Sequence, residues 1–329
     1  MTVLITGGAG FIGTRLAQRL AREGRPFEIA DMRPSPLYSR GQTPCDVTDP
    51  SRLERAPRFD AIAHLAAVHR DDVRPSTLYE TVNVGGARNV CALADRRGAN
   101  TIVFTSTVAV YGFADPETDE TGPIAPFNEY GRTKHAAEEV LRAWQAAEPD
   151  VRSLTIVRPT VVFGEGNRGN VFTMLKAIRS GAFAIPGDGE NVKSLAYVEN
   201  VASFIEAALD FGPGVHLFNY VDPPNLSLNQ IVARTRLTLT GGETSGLHIP
   251  MGAALMLGRI ADAVSATTGA RLPVSAIRVR KLAATTAFAS RAHSAPGFAA
   301  PVPLLEALDR TIAAEFLTPN VDRPVFETE

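Results

Sequence analysis

Cysteine is nearly absent. The 329 residues hold two, Cys45 and Cys91, far apart and at no metal-ligand or redox spacing. That argues against a disulfide framework or zinc site and leads us to expect reduced thiols in a cytosolic protein. The six histidines form no cluster with Asp, Glu or Cys, so His64 and His69 read as packing or hydrogen-bonding side chains and no metal is expected. No run approaches the ~20 apolar residues that span a bilayer. The start, Met1-Thr-Val-Leu-Ile-Thr6, lacks the basic residues and long apolar stretch of a signal peptide. A soluble cytoplasmic protein without a membrane partner is therefore expected. Charge of one sign is also lacking: 33 Lys+Arg stand against 35 Asp+Glu, a net of -2, which argues against a nucleic-acid partner. No Ser-His-Asp motif, internal repeat or low-complexity linker is present. The remaining balance, 45% hydrophobic and 21% charged, is that of a globular chain.

What is present is alternation. Residues 2–6, 27–30, 61–67, 101–106 and 153–157 read as buried strands. Residues 11–23, 79–97 and 130–148 read as helices, the first with Phe11, Ile12, Leu16 and Leu20 on one side and Gly24 at its end. This order predicts an α/β fold, a doubly wound parallel sheet with helices on both faces. Past Pro159 the pattern loosens. Residues 164–170 and 186–191 are loops by composition, 171–180 and 201–209 helices, and 195–198 a strand. From 226 onward the chain is helical and Ala-rich. The expectation is a dinucleotide-binding domain over 1–163, rejoined by the chain around 192–225. Residues 164–191 and 226–329 would form a smaller, mostly helical substrate domain.

Directly behind the first strand stands Gly7-Gly-Ala-Gly10-Phe11-Ile12-Gly13. Small residues there let the backbone turn tightly and approach a pyrophosphate, which the free N–H groups and positive dipole end of the next helix then bind. This is a Rossmann-type arrangement. Asp31 closes the second strand, where a carboxylate binds the adenosine ribose hydroxyls and repels a 2′-phosphate. At 4 Å and an effective dielectric of 20 that repulsion is about 4 kcal/mol, favouring NAD over NADP. Arg33, two residues on, works against the preference.

Tyr130-Gly-Arg-Thr-Lys134 is the second chemical feature. On a helix, i and i+4 share one face. A tyrosine titrates near 10, too high for a base at neutral pH. A lysine ammonium about 6 Å away, at the same dielectric, favours the phenolate by roughly 2.8 kcal/mol, or about two pKa units. The pair makes a general base for a hydroxyl proton. The strand ending Phe104-Thr-Ser-Thr107 carries hydroxyls into the crevice where ligands bind. Thr107 is one candidate to hold a substrate hydroxyl against Tyr130, and Ser106 the other.

Together these residues resemble the extended short-chain dehydrogenase/reductase family, in its NAD-dependent epimerase/dehydratase branch. The likeness spans about residues 1–210. It rests on Gly7 to Gly13, Asp31, Asp46-Val47, His64-Leu-Ala-Ala67, Val82-Asn-Val-Gly-Gly-Ala87, Thr105 to Gly112, Tyr130 with Lys134, and Arg158-Pro-Thr-Val-Val-Phe-Gly164. The resemblance implies NAD as cofactor. Asp46 and Val47 would lie at the adenine edge, and Leu65, Ala66 and Ala67 on the ribose and pyrophosphate. Asn83, Thr105 and Thr160 would lie near the cofactor. Thr107, Tyr130 and Lys134 would be catalytic, with Lys134 also on the nicotinamide ribose. It implies a nucleoside-diphosphate sugar as substrate and a homodimer built on the helices near 79–97 and 130–148. Ala87, Ala92, Ala94, Ala136, Ala137, Ala143, Ala146 and Ala147 suit close packing there, although internal packing has the same pattern.

Two departures stand out. Val108 follows Thr107 where family dehydratases carry an acid, which disfavours water elimination. Val161 occupies the position where many sugar epimerases place an asparagine on the substrate diphosphate. Lys193 aligns with a family arginine on that diphosphate. Arg259, Arg271, Arg278, Arg280, Lys281 and Arg291 outnumber Asp262 between Arg259 and His293, as phosphate contacts or as a solvated basic face. Substrate contacts are thus expected at Thr107, Lys193 and Arg280. The favoured activity is an NAD-dependent nucleotide-sugar 4-epimerase, with Tyr130 as base and a hydride leaving and returning at C4. The alternatives are a keto-sugar reductase or other hydroxyl dehydrogenase, and a dinucleotide-binding regulator without turnover.

Overall fold

Strand β1 (Val3–Thr6) buries all four side chains, as a strand covered on both faces must. The computed structural model describes residues 1–38, 42–70, 73–242, 246–268, 275–318 and 322–327. After β1 come β2 (Phe27–Asp31), β3 (Gln42–Pro44), β4 (Ala61–His64), β5 (Thr101–Thr105), β6 (Ser153–Pro159) and an edge strand, Gly214–Tyr220. They form one seven-stranded sheet in the order edge strand, β6, β5, β4, β1, β2, β3. Every pairing in it is parallel. The order reverses between β1 and β4, which opens a crevice at their carboxyl ends.

Strand periodicity sorts the core. Val3 and Ile5 meet Leu16, Ala17 and Leu20 of the Phe11–Arg22 helix, together with Val201 and Phe204 of the Val198–Ala208 helix. Leu4, Ile62, Ile102 and Phe104 project to the other face. There they meet Ala87, Val90 and Leu93 of the Gly86–Arg97 helix and Ala137, Leu141 and Trp144 of the Glu129–Ala147 helix. A third cluster joins Phe163, Leu195, Ile231, Leu304 and Leu308 to Phe11 beside the glycine turn.

The α/β doubly wound sheet is the one expected, with several differences in detail. β3 is only Gln-Thr-Pro and has no apolar run to announce it. The chain's return to the sheet is the edge strand Gly214–Tyr220. The strand expected near 195 forms as Leu195–Tyr197 but pairs with Val161–Phe163 outside the main sheet. β4 stops at His64, leaving Leu65, Ala66 and Ala67 as loop. The helix expected over 79–97 is interrupted: a π-helical segment, Glu80–Gly85, precedes Gly86–Arg97. Beyond 226 the chain is mainly helical, with Leu228–Thr240, Met251–Thr268, Ala276–Ala283 and Leu304–Ile312. Among the described residues no helix is long and apolar enough to cross a membrane.

Candidate active site

The glycine turn is a cradle that any Cβ would fill. Gly7 sits at φ 72°, and a Cβ on it would fall 2.6 Å from the Ala66 nitrogen; one on Gly13 would fall 2.5 Å from the Gly7 oxygen. Turn, helix and Leu65–Ala67 loop therefore close on one another, with Leu65 N–H donating to the Thr6 carbonyl at 2.9 Å. Gly10 caps the helix without a side chain, and no acid stands in the first turn. The helix end thus keeps its N–H groups and positive dipole end for an anion. Phe11 and Ile12 turn their side chains into the core, so their contribution to the cradle is backbone N–H. These features fit a dinucleotide pyrophosphate.

Asp31 is tied to the same turn. Its carboxylate accepts from Ala9 N–H at 3.0 Å and from Arg33 N–H at 2.9 Å. Asp46 accepts from Thr48 N–H, while Val47 is buried against Gly86 and its carbonyl accepts from Asn89. Asn83 lies in the π-helical segment, a feature frequent at functional sites. Its amide spans both polar groups of Val68, at 2.9 and 3.0 Å, and donates to Thr133 at 3.0 Å. Asn83 thus fastens the loop behind β4 to the Glu129–Ala147 helix. Thr105 lies buried, its hydroxyl 3.5 Å from the His64 carbonyl. Thr160 directs both its N–H and its hydroxyl to the Tyr220 carbonyl.

Glu129–Ala147 begins at Asn128, whose side chain accepts from Gly131 N–H. Glycine inside a helix costs about 1 kcal/mol relative to alanine, and here it has a steric reason. A Cβ on Gly131 would lie 2.5 Å from the Ala109 carbonyl oxygen. The helix start therefore seats against the short turn Val108–Tyr111, whose N-cap is Thr107. Thr107 and Tyr130 thus sit on two abutting pieces. The sequence holds a glycine beside Tyr130, but its partner, Ala109, lies about twenty residues earlier in another element.

The two candidate hydroxyls have different surroundings. Ser106 donates to buried Glu138. Thr107 accepts from Ala109 N–H at 3.1 Å. Glu138 in turn accepts from the Arg158 guanidinium through two bonds, one at 2.9 Å, and Arg158 donates to the Tyr111 hydroxyl at 2.7 Å. Lys134 is 1% exposed, with its Nζ 4.1 Å above the Phe104 ring centroid. Burial pulls its pKa down to about 7, partly opposed by the Glu138 charge. His64 stacks on the same ring and pairs with the Thr6 hydroxyl at 2.7 Å. Burial, with the Lys134 charge, holds it near 3, so it is neutral. Among the described residues no three His, Cys, Asp or Glu gather where a metal would sit.

The expected substrate cations fare differently. Lys193 donates to the carbonyls of Lys281 and Ala284 at the end of the Ala276–Ala283 helix, and burial lowers its pKa to about 8. Its ammonium is thus engaged in holding that helix. Arg291 pairs with Glu120 at 3.2 Å. Arg280 is exposed beside Arg278 and Lys281, and Arg271 lies outside the described residues. Val161 opens the Val161–Phe163 strand and is 45% exposed.

Comparison with known proteins agrees with this geometry. The profile of the NAD dependent epimerase/dehydratase family matches residues 3–219. A relative from Escherichia coli O157:H7, N-acetyl-alpha-D-glucosaminyl-diphospho-ditrans,octacis-undecaprenol 4-epimerase, is 44% identical and covers 99% of each chain. The UDP-glucose 4-epimerase of Lactobacillus helveticus is 29% identical over 76% of this chain and 83% of its own. The solved structure of MoeE5 in complex with UDP-glucose and NAD superposes with a TM-score of 0.71 at 27% identity, covering 95% of this chain and 97% of that one. A profile match across most of the chain, over a cradle and a Tyr130/Lys134 helix of this form, places the protein in the NAD-dependent epimerase/dehydratase family.

Proposed function

We propose that this chain is an NAD-dependent 4-epimerase of a diphosphate-linked sugar, and that the diphosphate is carried by a polyprenyl lipid. The full-length likeness to the undecaprenol-diphosphate sugar epimerase carries this reading. It includes the C-terminal third, whereas the UDP-glucose 4-epimerase from Lactobacillus helveticus matches a shorter span at lower identity. The Val161 side chain has no amide and Lys193 is bound to backbone carbonyls, so the diphosphate contact comes from other residues whichever carrier bears it.

Tyr130 takes the proton of the sugar 4-hydroxyl, and the Thr107 hydroxyl holds the same oxygen. Lys134 sits one helical turn behind Tyr130 and supplies the positive charge that stabilises its phenolate. NAD, bound at the glycine turn, supplies acceptance of the C4 hydride and its return to the opposite face. Proton and hydride both come back, so there is no net oxidation. Asn83 and Gly131 act by placement, the first on the cofactor loop and the second at the contact between Tyr130's helix and Thr107's turn.

The same reading includes a dimer through the helical face around 80–97 and 129–147. Ala87, Ala94 and Ala137 are taken by the chain's own core, while Ala92, Ala136 and Ala143 remain partly or fully exposed there. The cytoplasm suits the two buried free thiols.

The purified protein, given a prenyl-diphospho-N-acetylglucosamine without added cofactor, is expected to produce its C4 epimer at constant 340 nm absorbance. Stoichiometric NADH release would instead make it a dehydrogenase. Asp31→Asn removes the carboxylate facing the adenosine ribose. It is expected to shift relative affinity toward NADP by about 10²-fold, somewhat less than a 4 kcal/mol repulsion at contact distance implies. Paired calorimetric titrations with NAD and NADP measure it, and an unchanged ratio would remove Asp31 from cofactor selection.

A further inference from the structure

The Met251–Thr268 helix is apolar and largely uncovered by the described residues. Ala254 and Gly258 alone are buried in it, facing the Ala276–Ala283 helix so closely that a Cβ on Gly258 would lie 2.7 Å from the Ala276 nitrogen. At about 100° per residue, Met256, Leu257, Ile260 and Val264 share one quarter to one third of the circumference. They are 65, 56, 50 and 41% exposed. Ile277 adds a fifth large apolar side chain, 53% exposed, on the neighbouring helix.

Among the described residues, the exposed charges on these two helices are mostly basic. Arg259 flanks the apolar stripe, and Arg278, Arg280 and Lys281 are exposed on Ala276–Ala283. The one acid of the longer helix, Asp262, lies on another side of it and accepts from Ala276 N–H at 3.0 Å. The patch also adjoins the segment that leads into the Glu129–Ala147 helix. Lys281 Nζ lies 5.8 Å from the Phe127 ring centroid, and Phe127 stacks on the exposed Phe113 at 4.6 Å. Phe127 stands three residues before Tyr130.

We propose that these two helices are a docking surface for an anionic lipid bilayer, which seats the active-site mouth against the membrane. Apolar side chains entering the interface, ringed by basic ones, are the pattern of a helix lying in the headgroup plane. A second copy fits the same ground poorly. A two-fold contact would bring the basic rims of both copies toward each other, whereas lipid phosphates attract them. The inference deepens the proposed function and rests on its lipid carrier: a diphosphate-sugar on a polyprenyl chain lies at the bilayer surface.

Flotation of the full-length protein with vesicles of equal parts phosphatidylcholine and phosphatidylglycerol tests it. Wild type is expected to float with these vesicles, and far less with phosphatidylcholine alone. The Leu257→Glu/Ile260→Glu variant is expected to lose binding by about tenfold or more. Arg278→Gln/Arg280→Gln, which leaves the apolar side chains in place, should weaken it about thirtyfold, each basic charge near the surface contributing about 1 kcal/mol. The Leu257→Glu/Ile260→Glu variant should keep wild-type turnover of a water-soluble short-prenyl substrate, and the arginine variant should keep the wild-type Tm, which shows that both fold. Wild type remaining in the aqueous phase would overturn the proposal. So would a Leu257→Glu/Ile260→Glu variant that dissociates a dimer yet still floats, which would make the face a contact between copies. Binding without turnover of the short-prenyl substrate would leave the surface standing and reject the epimerase instead.

Discussion

Tyr130→Phe is expected to lower kcat for C4 epimerisation by about 10³-fold with little change in KM, since proton transfer by a placed side chain is worth 10²–10⁴. The phenol is half-buried at the start of the Glu129–Ala147 helix. Lys134 is one turn on, within the core, and burial holds its pKa near 7. A lysine so desolvated carries its charge readily only with a negative partner close by, and a phenolate one turn away is such a partner. Phenylalanine retains the ring and removes the atom that exchanges the proton. Steady-state rates on a soluble prenyl-diphosphate sugar measure the loss, with released nucleotide assayed to show that cofactor is retained. A fall of less than tenfold would move the base to another group.

The second large effect is on stability. Glu138→Ala is expected to cost about 3–5 kcal/mol, because it strands the 3%-exposed Arg158 without its carboxylate. Burial alone would push the Glu138 carboxyl up. The Arg158 guanidinium, with lesser help from His135 and Ser106, outweighs it and holds the group near 2. A carboxyl depressed in the folded state stabilises above its ordinary value of about 4.5 and loses that contribution as pH falls toward 2. A shift of this size corresponds to about 3 kcal/mol. Urea unfolding at pH 7 should show the cost of the variant. Its stability should also fall less steeply than that of wild type between pH 4.5 and 3. An equal acid dependence would assign the loss to other carboxylates. Because Ser106 also donates to Glu138, the variant frees that hydroxyl beside Thr107, and some turnover should be lost beyond what unfolding explains.

The elements that carry the candidate site were legible because their signals are local. Gly7 to Gly13 encode a turn within seven residues, Asp31 ends the next strand, and Tyr130 and Lys134 are one helical turn apart. Each follows from backbone sterics or a helical repeat, without knowledge of distant partners. The different surroundings of the Ser106 and Thr107 hydroxyls were not legible. They depend on Glu138, which depends on Arg158 across the strand–helix interface. Lys193 looked like a cation for a substrate, yet it meets carbonyls some ninety residues along the chain. Asn83 was visible as a motif residue, while its bridge from Val68 to Thr133 appears only once the π-helical segment is in place.

The amino-acid order alone determined the alternating α/β chain and the glycine turn, and it placed Asp31 at the end of β2 and Tyr130 one helical turn from Lys134. Short-range geometry and charge suffice for each of these. Folding decided the seven-stranded order with its edge at Gly214–Tyr220, the seating of Gly131 on Ala109, and the exposure of Met251–Thr268. These depend on which surfaces meet and which are left facing solvent, and burial is a property of the packed chain that no stretch of sequence holds by itself.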